Sequence, residues 1–298
     1  MAKNSNAIKK TSGEMIFTVF NTVFMVFLCL ITFYPLWHVL CASFSEPALI
    51  LAHRGVLLWP KKFTLYTYEF LMEHPLLLTS YKNTLIYVLL GTGINLLMTF
   101  HGAYVLSRRN LYFKKYIMIM ITITMFIHGG LIPTFLVVKT LGMYNTIWAL
   151  LLPGAINTYN MIMMRTFFMA LPGELEESAR IDGAKDLTIL YRIVLPLSAP
   201  IIAVITLYYG VAHWNSWFNA MIYLQERVRY PLQIVLREIL ILGNMSSLQE
   251  ETDETVYRSV EATVKYATIV VATVPILCVY PFLQKYFAKG VMVGALKG

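Results

Sequence analysis

Residues 16–40 read Ile16-Phe17-Thr18-Val19-Phe20-Asn21-Thr22-Val23-Phe24-Met25-Val26-Phe27-Leu28-Cys29-Leu30-Ile31-Thr32-Phe33-Tyr34-Pro35-Leu36-Trp37-His38-Val39-Leu40, without one Asp, Glu, Lys or Arg. A hydrocarbon core of roughly 30 Å needs about 20 such residues in a helix. The run is too long for the apolar part of a signal peptide, and Cys41-Ala42-Ser43 beyond it offers no convincing small-residue cleavage pattern. It is read as a retained transmembrane helix.

Working outward, five further stretches meet the same length: Thr84–Leu106, Tyr116–Val138, Asn145–Phe168, Ala199–Leu224 and Thr263–Phe287. A lipid-embedded backbone must satisfy its own polar groups, so each is expected to be helical. The alternating pattern of a membrane barrel is absent. Of 298 residues, 58% are hydrophobic and 13% charged, which does not describe a soluble surface. The expected fold class is all-α, a polytopic membrane protein with six transmembrane helices. Its expected organisation is an N-terminal tail, first helix and outer amphipathic loop over 1–80, a transmembrane core over 81–288, and a tail over 289–298.

Orientation follows from Lys and Arg in short loops close to span ends. Segments 1–15, 107–115, 165–197 and 285–298 hold more than half of the 24 basic residues, among them Lys9, Lys10, Arg108, Arg109, Lys114 and Lys115. They form one side of a six-span chain, so both termini are expected in the cytoplasm, with the protein in the inner or plasma membrane. The net charge of +8 then fits membrane orientation and anionic lipid, not nucleic acid, for which no clustered basic face exists. On the opposite side, Trp59-Pro60-Lys61-Lys62 and the aromatic run Phe63–Phe70 suit a short amphipathic stretch at the outer interface. Residues 225–261, acidic at Glu250–Glu254, form the second large outer segment. Cys29, Cys41 and Cys278 have no metal or redox spacing. His38, His101, His128 and His213 lack metal-site spacing and are read as hydrogen-bonded packing residues, so no metal site is expected.

The longest inward segment, 171–197, reads Leu171-Pro172-Gly173-Glu174-Leu175-Glu176-Glu177-Ser178-Ala179-Arg180-Ile181-Asp182-Gly183-Ala184 and continues to Ile193-Val194-Leu195-Pro196. Pro172 and Gly173 end the preceding span, and three acids crowd a helix start, where the macrodipole favours negative charge. Asp182-Gly183 signals a helix end or turn. Leu187, Leu190, Tyr191 and Val194 recur at helical spacing, and Pro196 with Pro200 stops that second helix. The expected product is a helix–turn–helix that presents small residues and one acid outward. Ser178 and Ala179 would let it enter a cleft on a soluble partner, and Glu177 offers a charge there. A plain structural loop covering the bundle satisfies the same physics.

The spacing Glu177-Ser178-Ala179, Gly183 six residues after Glu177, then Ile193-x-Leu195-Pro196 resembles the loop that marks membrane subunits of bacterial ABC importers. Asn83-Thr84, Leu106-Ser107-Arg108, Trp214-Asn215 and the tail Gly290-x-x-x-Gly294-Ala295-x-Lys297-Gly298 resemble the carbohydrate branch of that family, of the type of the smaller maltose-transporter membrane subunit. The resemblance covers nearly the whole chain. Ser178 departs from the usual second Ala but is nearly as small. The resemblance implies that Glu177, Ser178, Ala179, Asp182, Gly183, Ile193, Leu195 and Pro196 belong to an ATPase-coupling loop. It also implies a second homologous membrane subunit, two ATP-binding cassette subunits, an extracytoplasmic solute-binding protein and a carbohydrate, in particular an oligosaccharide, as cargo.

What the chain lacks agrees with that assignment. No G-x-x-x-x-G-K-[ST] phosphate loop occurs, so ATP and Mg are expected on a partner subunit and no cofactor on this one. The spans hold no Asp or Glu of the kind that relays protons or coordinates sodium in secondary transporters. An ATPase-independent secondary transporter or channel is the alternative, and an integral-membrane enzyme is a further one. The latter would need a convergent acid–base set, and the Glu174–Asp186 cluster is explained by the helix dipole.

The fifth span carries the candidate solute path. At about 100° per residue, Tyr208, Asn215 and Asn219 fall within about 40° of one another on a continuous helix. Tyr209, Ser216 and Tyr223 lie beside them and His213 at the margin, while Trp214, Trp217, Phe218 and Met221 project the other way. Such a stripe is unfavourable against lipid and is expected to face helices or water. Tyr208, Tyr209, Asn215, Ser216 and Asn219 are therefore the expected pathway residues, interhelical hydrogen bonding being the other use of the same stripe.

Overall fold

The computed structural model describes residues 11–108, 110–242, 263–279 and 281. Among them every regular element is helical, apart from a single antiparallel bridge between Ser45 and Phe63. The chain divides into two compact units, residues 1–71 with 245–270, and residues 72–244 with 271–298.

The first unit is dominated by α1 (Ser12–Ser43). The Glu14 carboxylate accepts the Thr11 backbone N–H at 2.9 Å and so satisfies one orphan donor of the helix start. Thr18, Thr22 and Thr32 donate to carbonyls four residues back at 2.6–2.8 Å, so their hydroxyls need no partner outside the helix. Its apolar side chains point outward, Phe20 being 67% exposed, as a lipid-facing helix requires. Beyond its end the chain folds back through α2 (Pro47–Leu51) and α3 (Tyr66–Met72). Cys41, Ala42 and Leu57 form a small core there. Ser45 Oγ donates to Cys41 O and accepts Lys61 N–H, at 2.6 and 2.9 Å. The segment from Ser45 to Lys61 is thus folded on the end of α1. Residues 263–270, the start of α15 (Thr263–Val279), belong to this unit. There Thr67 donates to Thr263, and the Tyr266 ring stands edge-on to His38.

The second unit is organised by α4 (Leu77–Ser107). Ser80, Thr84, Gly91, Asn95, Thr99 and Ala103 line its buried face. This is the small-and-polar pattern by which membrane helices approach closely. The elements that follow are α5 (Lys114–Ile123), α6 (Leu131–Thr140), α7 (Trp148–Leu151), α8 (Thr158–Met169), α9 (Gly173–Ile181) and α10 (Asp186–Ile189). A π-helical turn, Leu190–Val194, leads into α11 (Leu195–Leu197) and then α12 (Ala199–Trp214), α13 (Phe218–Tyr223) and α14 (Leu232–Arg237). Helices α8 and α12 pack on α4.

Among the described residues two helices, α1 and α4, are long and apolar enough to cross a membrane, and the α10–α11 rod with α12, bent by 85°, makes a third if taken as one span. The segments expected as continuous third, fourth and fifth spans are broken. His128-Gly129-Gly130, with Gly130 at φ +84°, separates α5 from α6. Pro153-Gly154 separates α7 from α8, whose start is capped by Asn157 Oδ1 accepting Asn160 N–H at 3.1 Å. A hydropathy window registers the apolar content of a stretch and is blind to breaks of this kind. Of the sixth segment only 263–279 and 281 are described. Glu250–Glu254 and the tail 289–298 lie outside the described residues.

Candidate functional site

The 171–197 segment folds as the expected helix–turn–helix. Glu174 and Glu176 occupy the first turn of α9, where the dipole favours them. Its end is a Schellman closure: Ala184 N–H donates to Ala179 O at 2.9 Å and Gly183 N–H to Arg180 O at 3.0 Å. Gly183 is at φ +80°, a conformation an L side chain rarely adopts. Arg180 pairs with Asp186 across the turn, an exposed pair worth little by itself.

Beneath, the helix pair is fixed to the bundle. Ala179, Ile189, Leu190 and Val194 share one buried cluster with Ala103, Tyr104 and Leu106 of α4, Met161, Met164 and Phe168 of α8, and Ile205 and Tyr209 of α12. Ile193 and Leu195 pack against it. Ala179 therefore faces inward and does not stand beside Ser178 on the outer face, because the two differ by about 100° around the helix. Glu177, Ser178, Asp182, Gly183 and Pro196 are exposed, and Ser178 Oγ donates to Glu174 O at 2.8 Å. The outer face also carries Ile181 at 86% and Leu187 at 62% exposure. In the sequence Leu187 counts only towards the helical spacing of the second helix and Ile181 is not singled out, although apolar side chains flanking a Gly turn are the available signal.

Helix α4 ends against this pair. Arg108 is bonded to Glu176 of α9, its guanidinium stacks 4.2 Å from the Tyr104 ring, and its Nη2 donates to Ser107 Oγ at 2.9 Å. Burial pulls the Arg108 pKa below its ordinary value, yet an arginine keeps its charge in proteins. Arg165 of α8 donates to Leu106 O at 3.0 Å, so a cation also meets the negative end of the α4 dipole. A cavity of about 750 Å³ opens here, bounded by His101, Arg108, Glu176, Arg180 and Leu187 among others.

The fifth segment departs from its expected geometry. Helix α12 stops at Trp214 and α13 starts at Phe218, so Asn215, Ser216 and Trp217 form a break. A single helical projection from 208 to 219 therefore does not hold. Tyr208, Asn215 and Asn219 are exposed and Ser216 is half-buried. Tyr209 is buried: its hydroxyl lies 2.8 Å from Thr99 Oγ1 and accepts Asn157 N–H at 3.0 Å. It holds α12 to α4 and to the start of α8, away from the exposed face. Trp214 is buried, its indole donating to Ala272 O at 3.0 Å, whereas Phe218 is 44% exposed, against the expectation that both turn away.

A polar seam runs along α4, and in it His213 and His101 are hydrogen-bonded packing residues, as expected of them. His213 Nε2 is 2.6 Å from Asn95 Oδ1, and Asn95 Nδ2 donates to Gly154 O and Ala155 O at 2.7 and 3.0 Å. The ring fits only because α4 has glycine at 91: a Cβ there would lie 2.4 Å from Nε2. His101 is held by Leu97 O and the Tyr191 hydroxyl, at 2.7 and 3.2 Å. Near the other end of α4, Asn83 donates to Val228 O and Tyr230 O, Tyr87 to Arg229 O, and Thr84 accepts Leu232 N–H, at 2.6–3.2 Å. Asn83-Thr84 thereby brace the loop between α13 and α14.

Residues 91–293, which include the helix pair, the break and the polar seam, match the family described as binding-protein-dependent transport system inner membrane component. The chain belongs to that family. It is the membrane (permease) subunit of an ABC transporter. Protein LplC of Bacillus subtilis is 40% identical over 293 residues, covering 98% of this chain and 99% of the relative. The polygalacturonan/rhamnogalacturonan transport system permease protein YtcP of the same organism is 42% identical over 277 residues, covering 92% and 96%. Among solved structures, a bacterial ABC transporter involved in import of the acidic polysaccharide alginate has a chain that superposes with a TM-score of 0.84 at 31% identity. That match covers 94% of this chain and 99% of that one.

Proposed function

We propose that this permease forms the translocation path of an ATP-driven importer for a carbohydrate, an oligosaccharide, and couples to a separate ATPase through the 171–197 helix pair. The observation that carries the reading is likeness over almost the whole length to permeases of named polysaccharide-derived substrates. The chain carries six spans, three of them broken or bent, with both termini in the cytoplasm and a transmembrane core over 81–288. It pairs with a second, homologous membrane subunit. Two ATP-binding cassette subunits, which hold ATP and Mg, bind beneath the two membrane subunits, one of them at this helix pair, and an extracytoplasmic solute-binding protein delivers cargo. This chain itself holds no cofactor.

The exposed set Glu177, Ser178, Ile181, Asp182, Gly183, Leu187 and Pro196 is the docking face. Ala179, Ile193 and Leu195 serve the same coupling loop from beneath by seating it on the bundle. Closure of the ATPases on ATP moves the loop, and the cavity alternates between its two openings. Tyr208, Asn215, Ser216 and Asn219 offer the amides and hydroxyls that a sugar binds, with Phe218 as an aromatic neighbour. Tyr209 is a positioning residue of that path. The test is uptake of labelled oligosaccharides by cells deleted for this gene. The expected result is loss of oligosaccharide uptake, restored by the gene, with glucose uptake intact. Unchanged uptake of every oligosaccharide tried would overturn the reading.

A further inference from the structure

We infer that the Arg108–Glu176 pair is the link through which the helix pair drives α4, so that both are positioning residues for transport. The inference rests on the coupling role proposed above. Two of the three core helices are joined to the helix pair by the chain itself, α8 through Leu171 and Pro172 and α12 through Ser198. Helix α4 has no such connection, although it packs against both and carries the polar seam with Asn95 and Thr99. It meets the second half of the pair through the shared apolar cluster and the His101–Tyr191 contact at 3.2 Å; its ties to α9 itself are that cluster, at Ala179, and this ion pair.

The pair is built as a fixed strut. Both side chains are about four-fifths buried, at 21% and 19% exposure. Arg108 is immobilised on its own helix by the Tyr104 ring at 4.2 Å, by Tyr104 O at 3.3 Å and by Ser107 Oγ at 2.9 Å. Lys114 donates to its carbonyl at 2.8 Å. Glu176 sits one turn into α9, whose start favours a carboxylate. Apolar surfaces slide past one another; a held, partly desolvated ion pair resists sliding, because separating its members leaves a charge without its partner. A stroke of α9 is therefore passed to the end of α4. The neighbouring Glu177 is exposed and has no ion pair among the described residues, which divides the labour between adjacent acids: one faces the partner, the other faces α4.

The test uses the full transporter reconstituted in proteoliposomes and reads oligosaccharide transported per ATP hydrolysed. Arg108→Gln and Glu176→Gln should each lower that ratio by roughly five- to tenfold, the low end of coupling between linked sites. The reversed pair Arg108→Glu with Glu176→Arg should restore at least half of it. A purely structural role would lower assembly, transport and hydrolysis in proportion and leave the ratio fixed, and that result overturns the inference. So does failure of the reversed pair to recover when it assembles normally. Glu177→Lys is measured alongside. If it abolishes transport while the Arg108 and Glu176 variants keep the wild-type ratio, the link fails and the coupling loop stands; if Glu177→Lys transports normally, the coupling role itself is wrong.

Discussion

Gly91→Ala should destabilise the protein although alanine is the better helix former. The ideal Cβ at 91 would lie 2.4, 2.5 and 2.8 Å from Nε2, Cε1 and Cδ2 of His213, where unbonded carbons rest about 3.5 Å apart. The ring must move, and its 2.6 Å contact with Asn95 goes with it. Overpacking of this kind costs about 1–3 kcal/mol, and an interhelical hydrogen bond in a membrane about 0.6 kcal/mol more. Replacing a helical glycine returns about 0.5–1 kcal/mol. The net loss is about 0.6–3 kcal/mol, or roughly 1–12 °C in apparent Tm at about 2–4 °C per kcal/mol. Gly93→Ala, two residues on and with nothing within 4 Å, keeps only the helix gain and should be neutral or slightly stabilising. The assay is thermal unfolding of both purified variants in one detergent. Equal Tm values would refute the reasoning, since the two differ only in what the new methyl meets. Adding His213→Ala to Gly91→Ala should cost less than His213→Ala costs the wild type.

Glu177→Lys and Gly183→Pro should each abolish uptake while leaving the protein inserted in the membrane, judged by transport against immunoblots of membrane fractions; normal uptake by both would end the coupling role of the loop. Cysteines at 215 and 219 should react with water-soluble thiol reagents and be protected by substrate, whereas cysteines at the buried positions 209 and 214 should react far more slowly; the opposite ranking would remove Asn215 and Asn219 from the path. His74 Nδ1 accepts the Leu76 N–H at 3.3 Å, a bond that needs an unprotonated nitrogen, and burial first, with Arg227 assisting and Glu238 opposing, lowers its pKa. A depressed folded pKa means this stability is present above the ordinary value of about 6.5 and is lost as pH falls below it. Wild type should therefore lose up to about 1 kcal/mol between pH 7.5 and 5.5, and His74→Gln less, as read by Tm at each pH.

The helical class and the turn at Gly183 were legible because they rest on local physics: apolar length for the spans, acids at a helix start, and the glycine that a left-handed C′ position requires. Continuity of the spans was not legible, because Gly129-Gly130 and Pro153-Gly154 lie inside apolar runs that a window averages over. The direction of Ala179 was misread for a related reason. Small size suits an outer docking face and a close-packed inner one alike, and only the Phe168–Ile189 surroundings decide between them. In the fifth segment a projection at constant angle carried Asn219 into register with Tyr208, but the break at 215–217 resets the phase. The Arg108–Glu176 contact joins residues far apart in the chain, and nothing local announces such pairs.

The central claim is coupled import, and reconstitution tests it most directly. The permease, the second membrane subunit proposed for it, the ATPase and the loaded binding protein are placed in proteoliposomes, and accumulation of labelled oligosaccharide is followed with and without ATP. Coupled import requires that accumulation depend on ATP and stop when the ATPase carries an inactivated phosphate loop. Accumulation that continues with the inactivated ATPase would contradict it.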